Sequence, residues 1–201
     1  MPVKDLSAEQ FQLLLDALDP MLQTLFTVQL SLGLRISEVL GLMWKDIDWL
    51  GKSINLERGV VAQIVDDVKT EASRRRMPVS DGLLEVLRQW KSVSQFSESD
   101  DWVFASPWKL GRRPICYTHI WESLDAASKK AGIPHVSSHA FRNAFRSWLD
   151  SLGLPVGLQQ RMMRHASVTT TMDHYGTAMQ SDMRTAHERV FARVTTGNKA
   201  I

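Results

Sequence analysis

SSHAFRNAFRSWL, residues 137–149, is the stretch on which the reading of this chain turns. Phe141, Ala144, Phe145 and Trp148, with Leu152 just beyond, recur at helical spacing and form a stripe that one helix face would bury. His139, Arg142 and Arg146 recur at the same spacing on a neighbouring face. Like charges three or four residues apart on a helix repel. An imidazole and two guanidiniums side by side therefore imply an anion held between them.

The surrounding charge pattern agrees. Between Lys129 and His165 the chain carries Lys129, Lys130, Arg142, Arg146, Arg161 and Arg164 against one acid, Asp150. The first twenty residues lean the other way, with Asp5, Glu9, Asp16 and Asp19 against Lys4. The net charge of +2 over 201 residues says little by itself, but a basic second half fits a polyanion surface. A solvated charged face is the plainer alternative. The length suggests one domain, or one with a small appendage, and 44% hydrophobic and 23% charged residues suit a globular protein. The single cysteine, Cys116, excludes a disulfide framework and a cysteine-based zinc site, and fits a reducing cytoplasm. No apolar run reaches membrane-spanning length, and MPVKDLSAEQ does not read as a signal peptide.

Working outward, LSAEQFQLLLDALDP reads as a helix capped by Ser7, with Gln10 completing a capping box. MLQTLFTVQLSLGL is a second, strongly apolar helix that Gly33 ends, and RISEVLGL restarts with Ser37 as cap. The period then changes. KSINLERGVVAQIV, with a turn near Arg58-Gly59, and RRRMPVS predict a small antiparallel sheet over about residues 52–79. Asp81 caps a helix through DGLLEVLRQWKSV, and a loop follows. Helices resume near residue 117, broken at Gly132–Pro134, Gly153–Pro155 and Gly176. A tail helix over about 178–195 carries an apolar stripe of Met179, Met183, Ala186, Val190 and Val194. It could dock on its own domain or on a neighbouring protomer. The expected fold is mainly α with a small antiparallel β-sheet, an α+β arrangement in one domain over residues 1–201.

Three further stretches hold chemistry-bearing residues. In SLGLRISEVLGLMWKDID, Arg35 sits between two helices with Glu38 three residues on, a local ion pair on the plain reading. In VKTEASRRRMPVS, Lys69 precedes a candidate strand and reads alone as a solvated turn. In MMRHASVTTTMDHYG, His165 opens a polar segment ending at Tyr175, which alone reads as a surface residue before a helix stop. Taken together and in order, Arg35, Lys69, His139, Arg142, His165 and Tyr175 resemble the tyrosine recombinase (phage integrase) family, through GLRISEVLGLMWKDID, VKTEASRRRMPV, HAFRNAFRSWL and RHASVTTTMDHYG. The resemblance runs from about residue 7 to about residue 180. Two local departures spare the chemical residues: MMRHAS replaces the usual LGH, and Ala140-Phe141 stand where Asp-Leu is common.

The resemblance implies the catalytic-domain fold of that family and a DNA strand transfer. Tyr175 would attack the scissile phosphate and form a 3′-phosphotyrosyl link. Arg35 and Arg142 would bind the non-bridging oxygens, a task suited to a guanidinium fork. Lys69 would protonate the leaving 5′ oxygen, His139 would assist proton transfer at the tyrosine, and His165 would hydrogen-bond the phosphate. Arg146 lies outside this set and is expected to meet DNA backbone or a neighbouring acid. The covalent link stores the energy of the broken bond, so no ATP, metal or other cofactor is expected. His135, His139, His165 and His174 offer a rival metal reading, but no carboxylate or thiol completes a ligand set. The expected partners are double-stranded DNA and further recombinase protomers in a synaptic complex on DNA, with no membrane and no small-molecule substrate. The chain begins almost at the first catalytic helix, so the N-terminal core-binding domain is expected to be absent and DNA binding to be weak. Two alternatives are a type IB topoisomerase, which shares the chemistry, and a non-catalytic DNA-binding module suggested by GLPVGLQQRMMRH.

Overall fold

Ser7 opens the first helix in the manner its sequence predicts. Its Oγ accepts from the Gln10 amide at 3.1 Å, and Gln10 Oε1 accepts from the Ser7 amide at 3.1 Å. The computed structural model describes residues 6–67, 75–163 and 178–196. Helix α1 (Ala8–Asp16) leads to α2 (Pro20–Leu32), which Asp19 caps by accepting from the Leu22 amide. Gly33 ends α2 with φ +60°. The left-handed backbone suits glycine, and a Cβ there would also lie 2.3 Å from the Phe145 ring. Helix α3 (Ile36–Leu40) follows. Its cap is Arg35 and not Ser37, because the Glu38 carboxylate takes the Arg35 backbone N–H at 2.6 Å.

Among the described residues five short strands come next: β1 (Ile47–Asp48), β2 (Ser53–Leu56), β3 (Arg58–Val61), β4 (Ile64–Asp67) and β5 (Arg75–Pro78). They form two antiparallel sheets where one was expected. One is three-stranded in the order β1-β2-β5, and the other is the β3-β4 hairpin. The turn predicted at Arg58-Gly59 is strand. The chain reverses at Ala62-Gln63, where both φ angles are positive, 49° and 63°. Packing explains the shift: β3 lies against α3, where a Cβ on Gly41 would stand 2.4 Å from the Arg58 carbonyl oxygen. In the larger sheet Ile54 faces Met77 across β2 and β5, and both are buried.

Helix α4 (Asp81–Val93) is capped by Ser80, whose Oγ accepts from Leu83, while Asp81 pairs with Lys52 at 2.7 Å. Helices α5 (Tyr117–Lys130), α6 (Ser138–Ser151), α7 (Val156–Met163) and α8 (Ala178–Thr196) complete the described chain. The core gathers around α2 and the apolar stripe of α6. Phe26 stacks on Phe141 with centroids 4.3 Å apart, and Phe11 meets Phe141 and Trp148 edge-on. The Trp148 indole donates to the Leu6 carbonyl at 3.1 Å, tying α6 to the segment before α1. Helix α8 packs on its own chain, against α1, α2, α4, α6, α7 and β5. It buries Ala186, Val190 and Val194, and His187 Nδ1 lies 2.7 Å from the Pro78 carbonyl oxygen. Among the described residues no helix is long and apolar enough to cross a membrane.

Candidate active site

Arg35 follows the Gly33 turn directly, at the cap of α3. Its guanidinium reaches the Glu38 carboxylate at 3.2 Å, and its side chain is about half exposed. An exposed pair of this kind adds little stability, but it orients the guanidinium at the helix start. The plain ion-pair reading of Arg35–Glu38 and a site role are thus compatible.

The stripe of α6 sets its other faces. Phe141, Ala144, Phe145 and Leu149 are buried, while His139 and Arg146 are exposed. Arg142 is buried to 5% exposure. A buried guanidinium needs partners, and two of its nitrogens donate to the carbonyl oxygens of Gly33 and Met163. These contacts fix the guanidinium plane between the turn before Arg35 and the end of α7. Gln29, near the end of α2, joins the same elements. Its Nε2 donates to the Leu34 carbonyl at 3.3 Å and to the Ser138 carbonyl at 3.0 Å. Leu34 immediately precedes Arg35, and Ser138 immediately precedes His139. Arg35, His139 and Arg142 therefore belong to one tied neighbourhood, although they come from separate parts of the sequence.

Lys69, His165 and Tyr175 lie outside the described residues, as do Arg164, His174 and the Gly176 break. Their positions along the chain are informative. Lys69 falls on the connection from β4 to β5, His165 is two residues beyond Met163, and Tyr175 is three residues before Ala178 at the start of α8.

Of the basic residues beyond this set, Lys130 is exposed and Lys129 pairs with Asp125 at 2.6 Å. That bond, helped by His135, holds the Asp125 carboxyl below its ordinary range. His135 sits 3.3 Å from Asp125 and beside the Trp121 ring. Among the described residues no three metal-ligating side chains come together.

Two structural features were not anticipated from the sequence. Gln29 reads there as a polar break in an apolar helix, and that break was its signal. The second is the ion pair of Arg58 with Asp46 at 2.6 Å, where Arg58 also donates to the Gly41 carbonyl and Asp46 accepts from the Met43 amide. It braces the end of α3 and so the far side of the Arg35 cap. Asp46 and Arg58 lie twelve residues apart with β1 and β2 between them, and spacing alone does not reveal the pair.

The phage integrase family model matches residues 4–181, a span that contains all six candidate residues. The chain belongs to the phage integrase family. Among curated relatives, the ICEBs1 integrase of Bacillus subtilis is 28% identical over 77% of this chain and 44% of its own length. A tyrosine recombinase XerC-like protein of Caldanaerobacter subterraneus subsp. tengcongensis is 24% identical over 77% of this chain and 45% of its own. The chain thus spans less than half the length of these relatives. Among solved structures, the Tn1549 transposon integrase in complex with a circular intermediate DNA superposes with a TM-score of 0.71. It covers 90% of this chain and 66% of that one at 19% identity. At that identity the likeness establishes the fold, an integrase-type arrangement of helices around small antiparallel sheets. The topoisomerase and non-catalytic DNA-binding alternatives are not favoured by these matches.

Proposed function

We propose that this phage integrase family chain is the catalytic domain of a site-specific DNA recombinase. The observation that carries the reading is the Arg142 guanidinium, buried on α6 and fixed against the Gly33 turn that leads to Arg35. Arg142 fixed in this way, with the Glu38-paired Arg35 on the segment after that turn, suits the two non-bridging oxygens of one phosphodiester. The Tyr175 hydroxyl oxygen attacks phosphorus, and the bond from phosphorus to the 5′ oxygen breaks. Lys69 gives its proton to that oxygen, leaving a free 5′ hydroxyl and a 3′-phosphotyrosyl link. His139 accepts the tyrosine proton and His165 donates to the phosphate. Attack by an incoming 5′ hydroxyl reverses each step and releases Tyr175. Every bond broken is replaced by one of similar energy, so the cycle needs neither ATP nor metal. The substrate is double-stranded DNA in the cytoplasm, and strand exchange needs further protomers assembled on it.

The test uses a pool of nicked duplexes of randomised sequence, in which the short fragment carrying the new 5′ hydroxyl diffuses away after cleavage, so that the covalent intermediate is trapped. Incubation with the purified chain in EDTA and without nucleotide should give protein–DNA adducts stable to denaturant. No adduct under any divalent-ion condition would contradict the reading. Adducts formed only with a divalent metal would contradict metal independence.

A further inference from the structure

We infer that Gln29 is a positioning residue for this site, a single amide that fixes the start of α3 relative to the start of α6; the inference rests on the recombinase reading of Arg35 and His139. Gln29 lies on a buried and mostly apolar helix. Leu22, Leu25, Phe26, Val28, Leu30 and Leu32 of α2 are fully buried, and Gln29 itself is 1% exposed. A leucine there would bury no side-chain oxygen, but it would offer the two carbonyls no donor. The amide instead donates to two backbone carbonyls, of Leu34 and Ser138, from one nitrogen. Both partners are acceptors, so the nitrogen and not the oxygen must face them. Gln29 Oε1 is left buried with no partner among the described residues. An unpaired buried acceptor is destabilising, so the amide is kept for what its nitrogen holds.

The two carbonyls belong to the residues just before Arg35 and just before His139. Ser138 is held a second time, with its Oγ 3.2 Å from the Tyr117 hydroxyl. The Gly33 turn is likewise held by Arg142. Loss of the Gln29 donor frees one carbonyl on each side and lets the two segments move apart. The distance between the Arg35 guanidinium and the groups on α6 then varies, and a small misplacement lowers a reaction that depends on several fixed groups. The fold does not depend on it, because the aromatic stacking of Phe26 on Phe141 joins α2 to α6 independently.

The experiment compares the full chain with Gln29→Met, which keeps the volume and removes the donor. Hydrogen exchange is followed without DNA, and the rate of adduct formation on a duplex recovered from the randomised pool is followed with it. Exchange should accelerate together at residues 34–38 and 138–142, while α4 keeps its protection. Adduct formation should slow about 10–100-fold with unchanged DNA affinity. Combining the change with Arg35→Lys should give less than the product of the two losses, since both disturb the same group. If α4 also loses protection in Gln29→Met, the comparison passes to Gln29→Asn, which keeps an amide and shortens its reach by one methylene group. Unchanged exchange at both segments, a wild-type cleavage rate, or a loss that multiplies fully with Arg35→Lys would overturn the inference. Failure of the wild-type chain to form any adduct would count against the recombinase reading, and the exchange data would still decide the role of Gln29.

Discussion

The Arg142 guanidinium donates to the carbonyl oxygen of Gly33, so a residue of the α6 helix is bonded to the turn that presents Arg35. That turn has a left-handed backbone at Gly33, pressed against the Phe145 ring of the same helix. The glycine, the buried arginine and the phenylalanine are one joint between α2 and α6.

Gly33→Ala should therefore harm stability and activity together. An L-residue at this φ costs about 1–2 kcal/mol, and forcing a methyl group into the Phe145 ring costs about 1–3 kcal/mol more. Urea denaturation monitored by tryptophan fluorescence measures the sum. A variant as stable as wild type would show that the turn relaxes freely.

The Asp46–Arg58 pair predicts an asymmetric response. Both side chains are at most one-tenth exposed. Asp46→Ala leaves Arg58 with the half-exposed Glu57 carboxylate, 3.0 Å away, as its remaining ion pair, at a cost of about 1–3 kcal/mol. Asp46→Ala combined with Arg58→Met should recover part of that loss, since no unpaired charge remains buried. A double variant as unstable as the sum of the two single changes would argue against a coupled pair.

The guanidinium geometry predicts that charge alone is insufficient. Arg35→Ala and Arg142→Ala should each lower the adduct-forming rate about 10²–10³-fold, the usual loss for one preorganised donor. Arg35→Lys should recover only part of it, because a point charge lacks the two-pronged fork. Arg142→Lys should do worse, since it also abandons the Gly33 and Met163 carbonyls. Full activity in both lysine variants would contradict a two-pronged grip on the phosphate.

The pair joining β2 to the start of α4 gives a pH test. The Lys52 hydrogen bond holds the Asp81 carboxyl below its ordinary value of 3.8. A depressed carboxyl stabilises the fold fully above that ordinary value and loses the contribution as pH falls through the lower folded value. Lys52→Met should therefore melt slightly below wild type at about pH 6, with the gap closing towards about pH 2. Both groups face solvent, so salt should shrink the gap as well. A gap that widens in acid would reverse the assignment.

The parts of the fold that were legible in the sequence were those set by local chemistry. The capping box at Ser7 and Gln10, the glycine stop at Gly33 and the buried stripe of α6 each depend on residues within one or two turns. Caps failed where a competitor stood close by. Glu38 takes the Arg35 amide ahead of Ser37, and Ser80 caps α4 while Asp81, the first helical residue, pairs with Lys52. The division into two sheets was not legible, because Gly59 reads as a turn residue until α3 is packed against it. For the candidate site, the ordered set of six residues came from resemblance to a family, and the described residues include Arg35, His139 and Arg142 of it. What ties Arg35 to α6 was not, since the contacts of Gln29 and Arg142 span 109 positions of sequence.

The site of covalent attachment decides whether Tyr175 is the nucleophile. Adducts formed by the wild-type chain are digested, and the peptide carrying the nucleotide is identified by mass spectrometry, with Tyr175→Phe assayed in parallel. The expected result is one modified residue, Tyr175, linked to a 3′ phosphate, with no adduct from Tyr175→Phe at unchanged DNA affinity. Attachment at another residue, or adduct formation by Tyr175→Phe at the wild-type rate, would contradict it.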